Sequence, residues 1–313
     1  MTQNKILLIG ANGQIGSVLT SALRSKYGKD QVISTDIREP ESDTGPFEIL
    51  DVTNTEGLRD CISRHQPDHV YHLAALLSAK GEQNPALTWK INFGGLINVL
   101  DAVRDLKVSR LFFPSSIAVF GKTTPRIRTP QDSPLLPETV YGISKVTGEN
   151  WCNYYHEKYG VDVRSIRYPG IIGHQSIPEG GTTDYAVEIF HAAIKEKKYT
   201  CFLDEHTRLP MMYMEDAVRA TIEIMEADSS SISLRYGYNL GGIDFTPAEI
   251  AAEIQKHIPD FSIEYQPDFR QAIAESWSES IDDDMARKDW GWEPKFDLES
   301  LSKDMIKNIK LKY

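Results

Sequence analysis

One phrase recurs through the first half of the chain: a short apolar run, a Gly-rich or polar turn, then a stretch with helical periodicity. No other feature restricts the fold as much. Candidate strands are Lys5–Ile9, Gln31–Asp36, His69–His72, Arg110–Pro114 and Asp162–Arg167, and the helical stretches between them lie near Gln14–Tyr27, Thr55–Arg64, Pro85–Leu106 and Thr139–Tyr159. Strands that alternate with helices run parallel, because a parallel pair needs a long crossover and the usual crossover is a helix. The expected fold is α/β, a doubly wound parallel sheet covered by helices on both faces. After about Gly170 the rhythm breaks. Gly180 to Thr183 is a polar stretch, and later segments mix short strands with helices such as Glu215–Ala227 and Pro247–His257. The expected division is 1–170 for the sheet domain and 171–313 for a smaller α/β lobe, with some segments returning to the sheet. Such a lobe belongs at the carboxyl ends of the strands, where open α/β sheets bind ligands.

Composition narrows the function. With 313 residues, 41% of them hydrophobic, a real core is available. Thirty-four basic against 45 acidic residues give a net charge of −11, which removes the attraction to phosphate that nucleic-acid binding needs. Cys61, Cys152 and Cys201 stand far apart without CxxC spacing, so neither a disulfide framework nor a thiolate zinc site is expected, and a reducing cytoplasm suits them. No signal-like start and no run of 18 apolar residues is found, so a soluble protein with no membrane partner is expected. His65, His69 and His72 cluster, but Pro67 breaks any helix between the first two; Asp282 to Asp284 reads as a helix cap, and no metal is expected. No Gly-xxxx-Gly-Lys-Ser/Thr occurs, which removes a P-loop ATPase.

The chemistry is concentrated at strand ends. Gly10-Ala-Asn12-Gly13-Gln14-Ile15-Gly16 follows an apolar strand and opens a helix. Glycines there let the chain turn tightly, let backbone approach a pyrophosphate and let helix pack on strand, while the helix N-terminus offers free N–H groups. Asp36 ends the second strand twenty residues beyond Gly16, where a carboxylate accepts both ribose hydroxyls and repels a 2′-phosphate, selecting NAD; Arg38 lies close by. Asp51, followed by Val52, can accept from an adenine amino group or cap the helix that starts near Thr53. Ser115 and Ser116 end the Arg110 strand, and Tyr141 and Lys145 lie four apart on one helix face. A lysine near the phenol favours phenolate, and a phenolate can take the proton of an alcohol while hydride leaves its carbon. Tyr154 and Lys158 repeat the spacing, but about 20 Å further along the same helix at 1.5 Å per residue, so Tyr154 is expected to pack or to form an interface.

Taken in order, Gly10 to Gly16, Asp36, His72-Leu-Ala-Ala75, Asn92, Ser115 to Gly121, Tyr141-xxx-Lys145, Arg167 to Gly170 and Arg208 to Asp216 resemble the extended short-chain dehydrogenase/reductase family over nearly the whole chain. That resemblance implies a Rossmann-type sheet and a bound NAD. It makes Ser116 the hydroxyl that holds the substrate oxygen, with Ser115 as neighbouring candidate, Tyr141 the acid/base and Lys145 the ribose-binding partner. Leu73, Ala74 and Ala75 with Tyr168, Pro169 and Gly170 would wrap the cofactor.

Within the family, Leu77 to Glu82, Tyr168 to Ile172, Gly180 to Phe190, Leu209 to Tyr213 and Glu275 to Asp282 are similar to the branch that oxidises L-threonine at C3; the last segment departs from it at Ser278. The resemblance places Ser78, Thr182 and Thr183 on the amino acid and Trp277 over the pocket. Short hydroxyls and N–H groups such as those of Ser78 and Gly181 to Thr183 also suit a carboxylate on chemical grounds. Helices Pro85–Leu106 and Thr139–Tyr159 resemble the pair that forms a four-helix homodimer interface. The competing enzyme is a nucleotide-sugar 4-epimerase, which uses the same Ser, Tyr and Lys; a dehydratase would carry an acidic pair where Ile117 and Ala118 stand. A non-catalytic NAD sensor would need the glycines but not the base.

Overall fold

The computed structural model describes residues 4–40, 45–175 and 181–313, so Gly180 of the polar stretch lies outside the described residues. The chain forms two compact units and changes unit after Val119, Leu136, Arg167, Ala217 and Tyr238. Phe120–Leu136 therefore belongs to the second unit although it precedes residue 170, and Val218–Tyr238 belongs to the first.

The first unit is built on a seven-stranded sheet. Its strands are β1 (Ile6–Ile9), β2 (Val32–Asp36), β3 (Phe47–Ile49), β4 (His69–His72), β5 (Arg110–Ser116), β6 (Val163–Tyr168) and a last strand, Gly237–Asn239. From one edge to the other the order is Gly237–Asn239, β6, β5, β4, β1, β2, β3. β1 pairs in parallel with β2 on one side (Ile6↔Val32) and with β4 on the other (Ile6↔His69). All four of its residues are buried, as the uninterrupted run Ile-Leu-Leu-Ile requires of a strand covered on both faces. After β3 the chain returns to the far side of β1, so the strand order reverses between β1 and β4. Loops leaving the carboxyl ends of those two strands diverge there, and that is where sheets of this kind bind nucleotides.

The helices are α1 (Gln14–Tyr27), α2 (Thr55–His65), α3 (Ser78–Gln83), α4 (Pro85–Trp89), α5 (Gly95–Asp105) and α6 (Val140–Tyr159). The single helix expected over Pro85–Leu106 is in fact α4 and α5 joined by a wide π turn at Lys90–Gly94. Such turns disturb the i→i−4 ladder and are common beside functional sites. Here the turn carries Asn92, whose amide is bonded outside the helix. Leu96, Val99, Leu100 and Val103 of α5, with Cys152 and Tyr155 of α6, close one core with Leu7, Ile9, Val70 and Leu111 of the sheet.

The second unit holds a three-stranded sheet in the order Ile243–Phe245, Leu209–Tyr213, Gly170–Ile172, the first pair antiparallel and the second parallel. Ser262–Tyr265 pairs in parallel with Lys198–Cys201. Helix Pro247–His257 starts with a capping box between Thr246 and Glu249. The expected cap at Asp282 to Asp284 takes a different form. Asp283 occupies the N-cap position of helix Asp284–Trp290, but its carboxylate accepts from Arg287 Nε (2.7 Å), Trp292 Nε1 (3.1 Å) and the Gly241 amide (3.2 Å) instead of capping. Among the described residues no helix is long and apolar enough to cross a membrane. Cys61, Cys152 and Cys201 are free and buried.

Candidate active site

The glycine turn sits at the end of β1, and its three glycines have three different reasons. Gly10 has φ +91°, and a Cβ there would stand 2.6 Å from the Ala74 amide nitrogen, so the loop after β4, with Leu73 and Ala75 flanking, lies directly against it. At Gly16 a Cβ would meet the Gly10 carbonyl oxygen at 2.1 Å, so helix and strand can pack only without one. Gly13 is different: its Cβ would meet only that same oxygen, at 3.5 Å, an ordinary contact. Nothing inside the protein demands a glycine at this exposed N-cap of α1, which lacks a side-chain cap. The intrahelical bonds begin with Ser17 N to Gly13 O, leaving the amides of Gln14, Ile15 and Gly16 as the first-turn donors. A small N-cap with free donors and the positive end of a helix dipole fits a pyrophosphate.

Around this turn the nucleotide-side residues are tied to one another. Asp36 Oδ2 accepts from the Asn12 amide at 3.0 Å, and Asn12 Nδ2 donates to the Arg38 carbonyl at 2.7 Å, so Arg38 meets the loop through its backbone. Asp51 does not cap α2. Its Oδ1 accepts from the Thr53 amide and hydroxyl, both at 2.8 Å, while Asn54 one turn on caps the helix by accepting from Gly57 N at 3.1 Å. A local Asx turn satisfies the aspartate three residues too early for the cap. Val52 is buried, packed where a Cβ on Gly95 would touch it at 2.7 Å. Asn92 also has its partners already: it accepts from Leu76 N at 2.8 Å and donates to Leu76 O at 3.0 Å and Ser144 Oγ at 3.3 Å. It braces the loop after β4 against α6.

The two serines at the end of β5 point to opposite faces, as neighbours on a strand must. Ser115 Oγ donates to Glu149 Oε1 at 2.5 Å, and Arg167 closes the same carboxylate with Nε at 2.9 Å and Nη2 at 2.8 Å. Both partners of this ion pair are only 2% exposed. Ser116 faces the other way, on the side of the Tyr141 phenol, and its Oγ accepts from Ala118 N at 3.2 Å. The geometry thus separates an anchoring serine from one available to a ligand.

Tyr141 stands in the first turn of α6, where Thr139 Oγ1 accepts from Gly142 N at 3.0 Å and Glu82 Oε1, from α3, accepts from Val140 N at 2.7 Å. A Cβ on Gly142 would collide with the Ala118 carbonyl, so this glycine lets the helix start lie against the strand end. Lys145, one turn on and 4% exposed, donates to Pro114 O at 2.6 Å, and its Nζ lies 4.8 Å from the Phe113 ring centroid and 5.5 Å from that of Tyr141. Tyr154 instead packs edge-on against Trp151 and Tyr159.

Burial pushes the Tyr141 phenol up to about 12, opposed by the hydrogen bond from Ser116. The lowering expected from Lys145 is therefore not realised here, because the ammonium is directed to the Pro114 carbonyl and desolvation outweighs it. Burial also draws Lys145 itself down to about 8, against the pull of the Glu149 carboxylate. His72, at the end of β4, is pushed down to about 3 by burial and then by the charge of Lys145, so it is neutral.

The remaining candidates are described each in its own unit. Ser78, in the first unit, is the first residue of α3 and is partly buried. In the second unit, Tyr168 and Pro169 are buried, and a Cβ on Gly170 would stand 2.7 Å from Thr183 Cγ2. Thr182 is buried and Thr183 half-buried. The Gly181 amide is not a free donor, since it donates to Asp184 Oδ2 at 2.7 Å. Trp277 is 7% exposed, and its carbonyl accepts from Arg126 Nε at 3.1 Å. Beside it, Ser278 accepts from Thr129 Oγ1 at 2.7 Å, so the departure at this position brings a bonded hydroxyl.

Glu149, Gly142 and Glu82 were not singled out from sequence. The signal for Glu149 was available: Tyr141, Lys145 and Glu149 continue one i, i+4, i+8 face.

A parallel sheet with a glycine turn at its switch point, and a serine, tyrosine and lysine at neighbouring ends of strand and helix, define a nucleotide-dependent oxidoreductase class. The chain belongs to the NAD dependent epimerase/dehydratase family, whose model matches residues 6–241, within the extended short-chain dehydrogenases/reductases. A relative from Staphylococcus haemolyticus, described as an uncharacterized epimerase/dehydratase, is 49% identical over 313 residues, covering 98% of both chains. Among solved structures, a partial consensus L-threonine 3-dehydrogenase matches with a TM-score of 0.96 and 53% identity, over 98% of this chain and 99% of that one. The holo form of a GalE-like L-threonine dehydrogenase from Cupriavidus necator matches with a TM-score of 0.96 and 52% identity, over 97% and 99%. A monomeric L-threonine 3-dehydrogenase from a metagenome database, in its apo form, matches with a TM-score of 0.95 and 48% identity, over 98% and 100%.

Proposed function

We propose that this chain oxidises L-threonine at C3 with NAD, giving 2-amino-3-oxobutyrate. The observation that carries the reading is the placing of the buried Lys145 ammonium 5.5 Å from the Tyr141 ring centroid with Ser116 beside the same phenol, in a chain whose likeness to L-threonine dehydrogenases extends over 97% of its length or more. Tyr141 takes the hydroxyl proton of the substrate as general base, and Ser116 holds the same oxygen. Lys145 holds the cofactor's ribose. The first turn of α1 holds the pyrophosphate, and Asp36 the adenosine ribose. A bound nicotinamide would supply the hydride acceptor, and its positive charge would favour the phenolate. Leu73 to Ala75, Tyr168 and Pro169 line the cofactor, and Ser78, Thr182, Thr183 and Trp277 receive the amino acid. The product, a β-keto acid, decarboxylates to aminoacetone or passes to an enzyme that cleaves it to glycine.

The reading includes a homodimer, supported by the aromatic face of α4 and α6, where Trp89, Trp151, Tyr154 and Tyr159 are 37–46% exposed. The buried free thiols support a reducing cytoplasm.

The test is NADH formation by purified protein with NAD and L-threonine, beside L-serine, L-allo-threonine and UDP-glucose. NADH with L-threonine is the expected result. No NADH, together with conversion of the UDP-sugar to its 4-epimer, would replace this reading with the epimerase one.

A further inference from the structure

We infer that Glu48, Cys61 and His65 form a binding site for a soft divalent cation of the zinc type. One ligand atom from each lies within 4.8 Å of the others. Cys61 and His65 are four apart on α2 and so share a helix face, and Glu48 is the middle residue of the edge strand β3. This cluster is in the first unit and is independent of the dehydrogenase reading.

The donor chemistry is selective. A thiol, an imidazole and a carboxylate form a mixed S, N, O set that suits zinc and its soft neighbours and not magnesium or calcium, which take oxygen. Glu48 is already oriented for the purpose. Arg64 Nη2 holds its Oε2 at 2.5 Å, leaving Oε1 at 2.5 Å from His65 Nε2. A guanidinium on the far oxygen of a carboxylate is the kind of outer contact that fixes a ligand's direction. A tetrahedral ion with arms of about 2.0–2.1 Å separates its nitrogen and oxygen ligands by about 3.3 Å, so the His65–Glu48 contact has to open by less than about 1 Å. His65 and Glu48 have side-chain exposures of 20% and 32%, which gives an ion a path and leaves a fourth position for water.

Cys61 is 1% exposed, and a cysteine binds such an ion as thiolate. As the metal–sulfur bond forms, the S–H bond breaks and the proton leaves to solvent, one per ion.

The test uses the full chain stripped of metal with a chelator. Titration with zinc, followed by calorimetry in two buffers of different ionisation heat, is expected to show one equivalent bound with proton release, undisturbed by excess magnesium. Cobalt(II) at the same site is expected to give a thiolate-to-metal charge-transfer band. His65→Gln and Cys61→Ser should each abolish that band and weaken zinc binding tenfold or more. Arg64→Ala should keep the band while weakening affinity about tenfold. His65→Gln, at a partly exposed position, reads out the site even if the buried Cys61→Ser variant folds poorly. Absence of stoichiometric zinc binding would overturn the inference. So would unchanged affinity in His65→Gln, which would place the ion at another cluster such as His174, Glu215 and Asp304.

Discussion

A Cβ atom on Gly142 would stand 2.2 Å from the carbonyl oxygen of Ala118. Ala118 is two residues beyond Ser116, and Gly142 follows Tyr141, so this approach sets how near the strand-end hydroxyl and the phenol stand to each other. Gly142→Ala has to push the start of α6 away from the strand end. A displacement of about 1 Å at a reacting group can cost about 100-fold in rate, so kcat for threonine oxidation should fall by that order while circular dichroism stays unchanged. Full activity in this variant would mean that the helix start does not set the geometry.

The glycine turn gives a paired prediction. Gly16→Ala forces a 2.1 Å clash with the Gly10 carbonyl and should lose both thermal stability and NAD binding. Gly13→Ala has room in the protein and should melt like the wild type, yet bind NAD at least about tenfold more weakly by calorimetry, because the methyl group stands where the pyrophosphate must approach. Equal NAD affinity in Gly13→Ala and wild type would remove the pyrophosphate from that turn.

Tyr141→Phe keeps the ring and deletes the base. Turnover should drop by about 10²–10⁴-fold, the usual worth of a positioned general base, with NAD affinity retained. With the phenol at about 12 in this structure, wild-type oxidation should rise with pH from neutral into the alkaline range, since phenolate is the reactive form. A pH-independent kcat/KM between 7 and 9 would contradict the assignment.

The buried pair Glu149–Arg167 predicts non-additivity. Arg167→Met leaves a buried carboxylate unpaired and should cost about 3–5 kcal/mol in urea unfolding, whereas the double variant Glu149→Leu/Arg167→Met should regain much of that. Gly237, where a Cβ would press on Glu149 Oε1 at 2.4 Å, leaves the room this carboxylate needs. Simple addition of the two single effects would show that the residues do not act as a pair.

His72 provides a pH signature of the fold. Its ring is neutral in the folded protein down to about 3, and its Nδ1 is buried without a hydrogen-bond partner. The unfolded chain takes up that proton near its ordinary value of about 6.5. Unfolded protein therefore binds more protons between about 6.5 and 3, and stability falls as pH drops through that window. From pH 7 to 4.5 the His72 share is about 2–3 kcal/mol, and urea titrations of His72→Gln should show a correspondingly flatter loss. Parallel curves for the two proteins would refute it.

What was legible in sequence follows physical range. Five of the seven strands of the first sheet could be read because each is a short apolar run with a turn after it, while Phe47–Ile49 and Gly237–Asn239, three residues each, are too short to carry that pattern; the glycine turn could be read because its residues are consecutive. Ser116 and Tyr141 were legible as residue types in a spacing. The different surroundings of Ser115 and Ser116 were not, since they depend on Glu149 and Arg167 arriving from elsewhere in the chain. The joint in the helix at Lys90–Gly94 escaped because α4 is only five residues long, too short to reveal the change of phase that a π turn introduces. Asp51 looked like a cap because its distance from the helix is ambiguous by three residues, and only the hydrogen bonds of Asn54 decide it. The grouping of Glu48 with Cys61 and His65 needs strand and helix side by side, which no CxxC-type pattern encodes.

The opposed serines of β5 have a consequence for how this strand can change over time. Substitutions along it are tolerable one at a time, but inserting or deleting a single residue between Arg110 and Ser115 would exchange the inward and outward faces. Ser115 would then face Tyr141, and Ser116 would be locked to Glu149. The strand's length is thus as much a part of the chemistry as its residues, and length variation should be confined to the loops before Arg110.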